Sequence, residues 1–271
     1  MFKLQNHSRS GWLLWRRLAL GLVCTSALVL AGCASGPRAD PRDPLEPLNR
    51  TTWRFNEGLD KAILKPVAET YRDVVPHMVR AGVTNFFYNL TDLWSAVNSA
   101  LQAKPEQALD NFFRFNLNTF FGLGGLIDVA SDFNIERHWE DLGKTLGRWG
   151  VPSGPYLVIP LLGPSTVRDA AVRTLELQVD AVRYVPHTLS RNSLYITRIV
   201  NTRAQLLRAG EMMDEVALDR YSFMRDVYLQ VRQRDVLGDK AGAAADSADP
   251  PPEEDYSKPA PSSSPSPAPA K

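Results

Sequence analysis

The feature that most constrains this chain is a cysteine at the end of its N-terminal apolar run. Four basic residues precede the 13 uncharged residues 18–30, and the run closes on Leu30-Ala31-Gly32-Cys33. A basic flank, a short apolar core and small residues at its end are typical of a secretory signal. The run is shorter than the roughly 20 residues that cross a bilayer as a helix. Cleavage before Cys33 would leave 239 residues, enough for one sizeable domain.

The cysteine count removes one source of stability. The chain has two cysteines, Cys24 inside the signal and Cys33 at its end, so the mature domain is expected to fold without a disulfide and without a cysteine metal site. Lysine and arginine number 31 against 30 acidic residues. This balance gives no basic excess that would favour nucleic acid as a partner.

Leu30-Ala31-Gly32-Cys33 resembles the bacterial lipobox. The resemblance implies a diacylglycerol on the Cys33 thiol and an N-acyl chain on the new amine after cleavage, with no other cofactor. Several acyl chains, at about 0.8 kcal/mol per buried methylene, hold a protein on a membrane almost permanently. Ala34, where inner-membrane lipoproteins carry aspartate, implies the outer membrane. The alternative is an ordinary secreted protein with a chance cysteine near its cleavage site.

Composition divides the chain into four parts. Residues 1–32 are assigned to the signal, 33–42 to a lipidated tether, and 43–238 to a helical domain. Residues 239–271 form an alanine-, proline- and serine-rich tail, which lacks the apolar residues that could offset the entropy of ordering and is expected to be disordered.

Most of residues 43–238 has the apolar spacing of helices. Lys104-Pro105-Glu106 and Ser165-Thr166 are typical helix starts, and two further long helices are predicted over residues 195–207 and 218–231. One apolar face is predicted from residues three and four apart: Phe86, Leu90, Leu93, Trp94, Val97 and Leu101. Such faces favour a helical core, and the alternative is insertion at a membrane interface, where aromatic residues are enriched.

Residues 150–164 differ from the rest because they are apolar yet rich in proline and glycine. Proline is excluded from helix interiors and central strands. The segment is therefore predicted to be extended and buried in protein or lipid.

The sequence carries no pattern that indicates catalysis. The histidines have no zinc spacing, and neither a Gly-x-Ser-x-Gly elbow nor a phosphate loop ending in Gly-Lys-Ser/Thr is present. Residues 136–141 gather ionisable groups, but charge this dense favours a solvated loop. The chain is expected not to be an enzyme.

A longer set of motifs resembles the MlaA (VacJ) outer-membrane lipoproteins over residues 43–236. The matching segments include Asp43-Pro44-Leu45-Glu46-Pro47-Leu48-Asn49-Arg50, Phe55-Asn56, Lys65-Pro66-Val67-Ala68, Asn85-Phe86-Phe87, Arg114-Phe115, Gly122-Leu123-Gly124-Gly125, Thr145-Leu146-Gly147-Arg148-Trp149-Gly150-Val151, Gly154-Pro155-Tyr156 and Thr202-Arg203-Ala204-Gln205-Leu206-Leu207. The tail departs from the family pattern.

This resemblance implies an all-α fold, a ring-like bundle of amphipathic helices embedded in the outer membrane around a central channel. The implied function is removal of misplaced phospholipid from the outer leaflet and its transfer to a soluble periplasmic carrier, MlaC-like, with trimeric porins as membrane partners. Two other classes stay open. A lipid hydrolase would need a nucleophile and a base, and a structural or adhesive lipoprotein would need only the anchor and a stable domain.

Two segments are candidates for the lipid path. Glycine removes side chains where backbone approaches another surface, and irregular backbone at membrane depth is tolerated where it is buried in protein or faces a watery cavity. The candidates are Gly122, Leu123, Gly124, Gly125, Gly154, Pro155, Tyr156, Leu157 and Pro160. The alternative is that the glycines merely cap a helix and the prolines merely cross the core.

Overall fold

The computed structural model describes residues 40–238, which form helices joined by turns and one β-hairpin. A π-helical turn over Asp60–Leu64 joins the first two helices, and a 3₁₀ turn over Ala181–Tyr184 precedes the helix that begins at Thr188. The elements are α1 (Glu46–Leu59), α2 (Lys65–Val74), α3 (His77–Leu101), α4 (Pro105–Phe120), α5 (Val129–Asp132), α6 (Leu142–Arg148), β1 (Tyr156–Ile159), β2 (Gly163–Thr166), α7 (Val167–Val179), α8 (Thr188–Gln205), α9 (Leu207–Val216) and α10 (Arg220–Leu237). Cys33, the predicted signal and the predicted tail lie outside the described residues.

Local signals fix where several helices begin. Pro105 occupies the first turn of α4, where its missing N–H costs nothing. The Thr166 side chain accepts a hydrogen bond from the Asp169 backbone N–H and caps α7. Both predicted helix starts are confirmed.

One predicted helix is broken in two. The sequence pattern joins residues 195–207, but α8 ends at Gln205 and α9 begins at Leu207. The chain turns at Leu206, which is half exposed, and buries Leu207 to 3 %. The sequence pattern does not reveal that the adjacent residues Leu206 and Leu207 lie in different surroundings.

The proline-rich segment is extended, as predicted, and forms an antiparallel hairpin in which Tyr156 lies opposite Thr166 and Ile159 opposite Gly163. Pro164 pairs with Val158, and a two-stranded sheet tolerates it because both strands are edges. Leu161 turns the chain with φ +67°.

Helix α1 covers the outer edge of β1 with asparagine side chains. The Asn49 amide donates to the Tyr156 carbonyl at 3.0 Å and accepts from the Val158 N–H at 2.9 Å. Asn56, two helical turns further on, makes the equivalent pair with the backbone of Ile159 and Leu161. These contacts satisfy backbone groups that an edge strand would otherwise leave open.

A small aromatic core lies beneath the hairpin. Tyr156, Val158 and Tyr221 are buried together, and the Tyr156 and Tyr221 rings meet edge to face at 6.1 Å between centroids. Tyr221 belongs to α10, so the last helix and the hairpin share one core.

Candidate functional site

The distribution of polarity in residues 40–238 is the opposite of that in a water-soluble domain. Twenty buried side chains are polar or charged and ten are hydrophobic. Large apolar side chains are exposed instead, including Met78 at 85 %, Phe120 at 75 % and Phe121 at 72 %. Apolar surface of this extent marks contact with a membrane or with another protein.

Helix α3 shows the inversion most clearly. Five of its seven buried residues are polar, namely Asn89, Asp92, Ser95, Asn98 and Ser99, and Gln102 just beyond the helix end is buried as well. Leu93, Val97 and Leu101, which the apolar spacing assigns to the core, are exposed by more than 40 %. The core interpretation of this face is therefore wrong for these three residues, while Phe86, Leu90 and Trp94 of the same face are half-buried.

Most of the buried polar side chains bind one another or the backbone, although a few atoms such as Asn89 Oδ1 and Ser99 Oγ have no partner. Asp92 binds Arg137 at 2.8 Å, and Arg114, which is 2 % exposed, donates to both carboxylate oxygens of Asp128 at 2.7 Å. Asn98 accepts from the Thr145 hydroxyl at 2.8 Å. Such pairing offsets the cost of removing these groups from water.

The charged stretch 136–141 belongs to this interior network. Arg137 binds Asp92, His138 contacts Asp110 at 3.0 Å, and Glu140 binds Lys104 at 2.7 Å. The stretch therefore links α3, α4 and α6, and a purely solvated loop is the wrong interpretation of it. No group of three or more potential metal ligands occurs in the described part of the chain.

The glycine turn after α4 requires two of its glycines for close approach. A Cβ on Gly122 would lie 2.2 Å from the Ile127 carbonyl oxygen, and one on Gly125 would lie 2.6 Å from the Asn89 amide nitrogen. Gly124 differs, since its Cβ position faces open space at φ +72°. Leu123 is 71 % exposed with φ +53°.

The hairpin candidates lie in a different part of the fold. Tyr156 is fully buried in the aromatic core, Leu157 is half-buried, and Gly154, Pro155 and Pro160 are exposed. The structure pairs Tyr156 with the aromatic core and Gly125 with α3, so the two segments occupy separate surroundings. Their role in a lipid path stays a prediction.

Two cavities lie along α10. The first, of about 210 Å³, is bounded by the hairpin, α6, α7 and α10, and we call it the α7 cavity. The second, of about 330 Å³, includes Thr91, Ser95 and Trp139 in its lining. Asp141, Tyr228 and Arg232 line both cavities and form the wall between them. Neither cavity is lined by any of the nine candidate residues.

An ion cluster lies in this wall between the two cavities. Arg232 donates to both carboxylate oxygens of Asp141, at 2.5 and 2.7 Å, and to Asp169 at 2.8 Å, while the Tyr228 hydroxyl donates to Asp169 at 3.0 Å. Burial alone would raise the pKa of Asp141 and of Asp169, but the hydrogen bonds and charge of Arg232 hold both below their usual value. The cluster ties α10 to α6 and α7.

The sequence pattern did not predict that α10 holds α6 and α7 together through polar side chains. Its inward side chains are Tyr221, Arg225, Tyr228 and Arg232, whose three- and four-residue spacing indicates one helix face. Half of them are arginine, so the spacing is visible in the sequence only if charged residues are allowed to face inward.

The apolar exterior and the polar interior together define a class: a helical protein whose outer surface is suited to contact with a membrane or with another protein. In the described residues, we find no helix that combines the length and the hydropathy of a membrane span. The fold class predicted from the sequence, an all-helical bundle, is confirmed, with the hairpin as a small addition.

The chain belongs to the MlaA lipoprotein family, whose model matches residues 41–235. It is 36 % identical over 220 residues to the intermembrane phospholipid transport system lipoprotein MlaA of Escherichia coli (strain K12), covering 79 % of this chain and 87 % of that protein. The protein of the same name from Haemophilus influenzae is 33 % identical over 217 residues, covering 76 % and 85 %.

A solved structure extends the comparison to three dimensions. It is described as "Structural basis for maintenance of bacterial outer membrane lipid asymmetry" and is similar with a TM-score of 0.64 and 36 % identity. The similarity covers 72 % of this chain and 98 % of that one.

Proposed function

We propose that this chain is an outer-membrane lipoprotein that removes misplaced phospholipid from the outer leaflet and passes it to a soluble periplasmic carrier of the MlaC kind. The observation that carries the proposal is the inverted polarity of residues 40–238, with apolar side chains outside and paired polar side chains inside. The names of its relatives, which speak of intermembrane phospholipid transport, support the same function.

The physical task is to move a headgroup past hydrocarbon. A charged or strongly polar group enters an apolar medium only at a cost of several kcal/mol. A polar interior enclosed by apolar helix faces lowers this cost, because the headgroup exchanges water for polar side chains while the acyl chains stay in lipid. A ring of helices around a central channel in the inner leaflet would provide that arrangement, and no covalent chemistry is required.

The anchor and the path complete the proposal. Cys33 carries the diacylglycerol and the N-acyl chain, and it holds the protein on the periplasmic side of the outer membrane. The glycine turn at residues 122–125 and the hairpin residues Gly154, Pro155, Tyr156, Leu157 and Pro160 lie beside the lipid path. Trimeric porins are the membrane partners, and the apolar exterior offers them a surface to contact.

Deletion of the gene tests the function directly. Phospholipid in outer-leaflet-selective extracts should rise, and the cells should become sensitive to detergent combined with a chelator. Restoring the full-length chain should reverse both effects. An unchanged outer leaflet would favour a structural or adhesive lipoprotein, and appearance of lipid cleavage products that depend on the chain would favour a hydrolase.

A further inference from the structure

The α7 cavity has the size and the charge pattern of a small ligand site. Its volume of about 210 Å³ far exceeds the roughly 10–15 Å³ that one water needs, yet it is too small for acyl chains. Three carboxylates and two guanidinium groups line it, namely Asp141, Asp169, Glu176, Arg173 and Arg232. Ile159, Leu162 and Val172 supply apolar wall.

Three of the five charged groups, Arg232, Asp141 and Asp169, already bind one another. Arg232 binds Asp141 through two hydrogen bonds and Asp169 through a third, at distances of 2.5 to 2.8 Å. Asp169 also accepts from Arg168 at 3.0 Å. This ion cluster lies in the wall that separates the two cavities, and it leaves little capacity for a further partner.

Glu176 and Arg173 are the two charges that remain available. The Glu176 side chain is only 15 % exposed. One of its oxygens accepts from the Leu142 N–H at 3.0 Å, and the other lies 3.6 Å from an Arg173 nitrogen, beyond hydrogen-bond distance. Arg173 is 53 % exposed, so its guanidinium can turn toward a ligand in the cavity.

The Arg173–Glu176 ion pair is long, and its arginine is half exposed, so it is a weak counter-charge for the carboxylate. Burial, and then the negative charge of Asp141, raise the pKa of Glu176 above its usual value. A buried charge is costly unless it is closely paired, and a cationic group beside Glu176 would supply a closer partner than Arg173 does. Arg173 meanwhile offers the planar donors that recognise phosphate.

We propose that the α7 cavity binds the headgroup of a phospholipid that carries a primary ammonium, with the ammonium on Glu176 and the phosphate on Arg173. The inference rests on the proposed function and names the substrate class that it prefers. A lipid is favoured over a soluble amine because the hairpin turn beside the cavity exposes Leu161 at 67 % and Leu162 at 53 %, which gives the acyl chains an apolar surface.

The test measures which lipids the full-length, lipidated protein retains from vesicles of equimolar phosphatidylethanolamine and phosphatidylglycerol, by mass spectrometry after purification. The wild type should retain more phosphatidylethanolamine. Glu176→Gln should lower the ratio of the two lipids about tenfold, the value of one charge-assisted contact. Arg173→Gln should lower retention of both lipids and leave their ratio unchanged, since phosphate is common to both.

Two exposed residues of α9 that line neither cavity provide matched controls, Glu215→Gln and Arg208→Gln, and both should match the wild type. If Glu176→Gln does not fold, the wild-type ratio still decides, because equal retention of the two lipids overturns the proposal. Binding of soluble phosphoethanolamine with no preference among vesicle lipids would overturn the lipid assignment.

The same data separate this inference from the proposed function. Transport of lipid by the wild type without headgroup preference overturns the inference and leaves the function standing. A wild type that neither retains nor moves lipid would overturn both.

Discussion

Single asparagine side chains complete the hydrogen bonding of a strand edge in this chain. Asn49 is fully buried and makes three hydrogen bonds, to Asp43, to the Tyr156 carbonyl and from the Val158 N–H. Its amide matches the donor and acceptor of an extended backbone, and it thus acts as one residue of a third strand. An asparagine in the middle of a helix otherwise lowers helix propensity, so Asn49 stabilises the protein through its tertiary hydrogen bonds.

Asn49→Leu should therefore destabilise the protein by about 2–4 kcal/mol, because it removes these hydrogen bonds and leaves buried backbone groups without partners. Unfolding by urea in detergent measures the change. Asn192→Leu, at an exposed position of α8, is the control and should stay within about 0.5 kcal/mol of the wild type. Equal stability of the two variants would show that water replaces the lost contacts.

Asp219 illustrates a charge whose effect depends on pH. It accepts from Arg50 at 2.7 Å and from the Tyr221 N–H at 3.1 Å at the start of α10. The hydrogen bond from Arg50 outweighs the opposing effect of burial and lowers the pKa of Asp219 from 3.8 to about 2. A depressed carboxyl pKa stabilises the fold above the unfolded value, and that stabilisation is lost as the pH falls toward 2.

The melting temperature should accordingly drop between pH 4 and pH 2, and Asp219→Asn should show a smaller drop because the variant has no carboxyl at this position to protonate. Scanning calorimetry of both proteins across this range measures the difference. Parallel pH profiles would exclude Asp219 as a contributor.

At the scale of elements, the packing of α10 against α6 and α7 depends on an arginine. Arg232 binds Asp141 and Asp169. Its removal leaves Asp141 without an ion-pair partner and leaves Asp169, which is 8 % exposed, with only Arg168 and the Tyr228 hydroxyl. Arg232→Gln should cost about 2–4 kcal/mol of stability, discounted for the part of this cluster that solvent reaches. Arg234→Gln, two residues away and exposed, should have almost no effect in the same unfolding experiment. Similar losses in both variants would point to helix propensity as the cause.

The sequence predicted the elements better than it predicted their surroundings. Pro105 and Thr166 mark helix starts because capping is a local property. The three- and four-residue spacing on α3 identifies a two-faced helix, but it does not indicate which face is exposed, and so the pattern predicts Leu93 and Val97 in the core although both are exposed. The inward arginines of α10 were missed for the same reason.

The candidate site was less predictable than the elements. Glycine and proline indicated irregular backbone at residues 122–125 and 150–164, and the close approaches at Gly122 and Gly125 agree with that part of the argument. The α7 cavity was not predicted, because Asp141, Glu176 and Arg232 meet only through the packing of three separate helices. No local pattern encodes such a meeting.

At the scale of the whole molecule, substitutions of Gly124 can distinguish an effect on transport from an effect on folding. A side chain there meets open space but suffers the strain of φ +72°. Gly124→Ala carries that strain without bulk, and Gly124→Trp carries both. If the glycine turn borders the lipid path, the tryptophan variant should stop phospholipid transport at near-normal abundance, while the alanine variant retains transport. Loss of abundance in both variants would indicate that Gly124 serves only as a helix cap.

The apolar exterior makes a second prediction about the whole molecule, that the fold itself holds to lipid without its covalent anchor. Side chains such as Met78, Phe120 and Leu123 are more than 70 % exposed, and each contributes roughly 1–2 kcal/mol when it enters hydrocarbon. We therefore expect a Cys33→Ala variant, exported by an ordinary cleavable signal in place of residues 1–32, to remain with membranes after high-salt washing and to need detergent for release. Mass spectrometry of the released chain must show that the signal is gone, because an uncleaved signal would anchor it independently. Recovery of the cleaved variant as a monodisperse protein in detergent-free buffer would mean that other protein surfaces, and not lipid, cover the exposed helix faces.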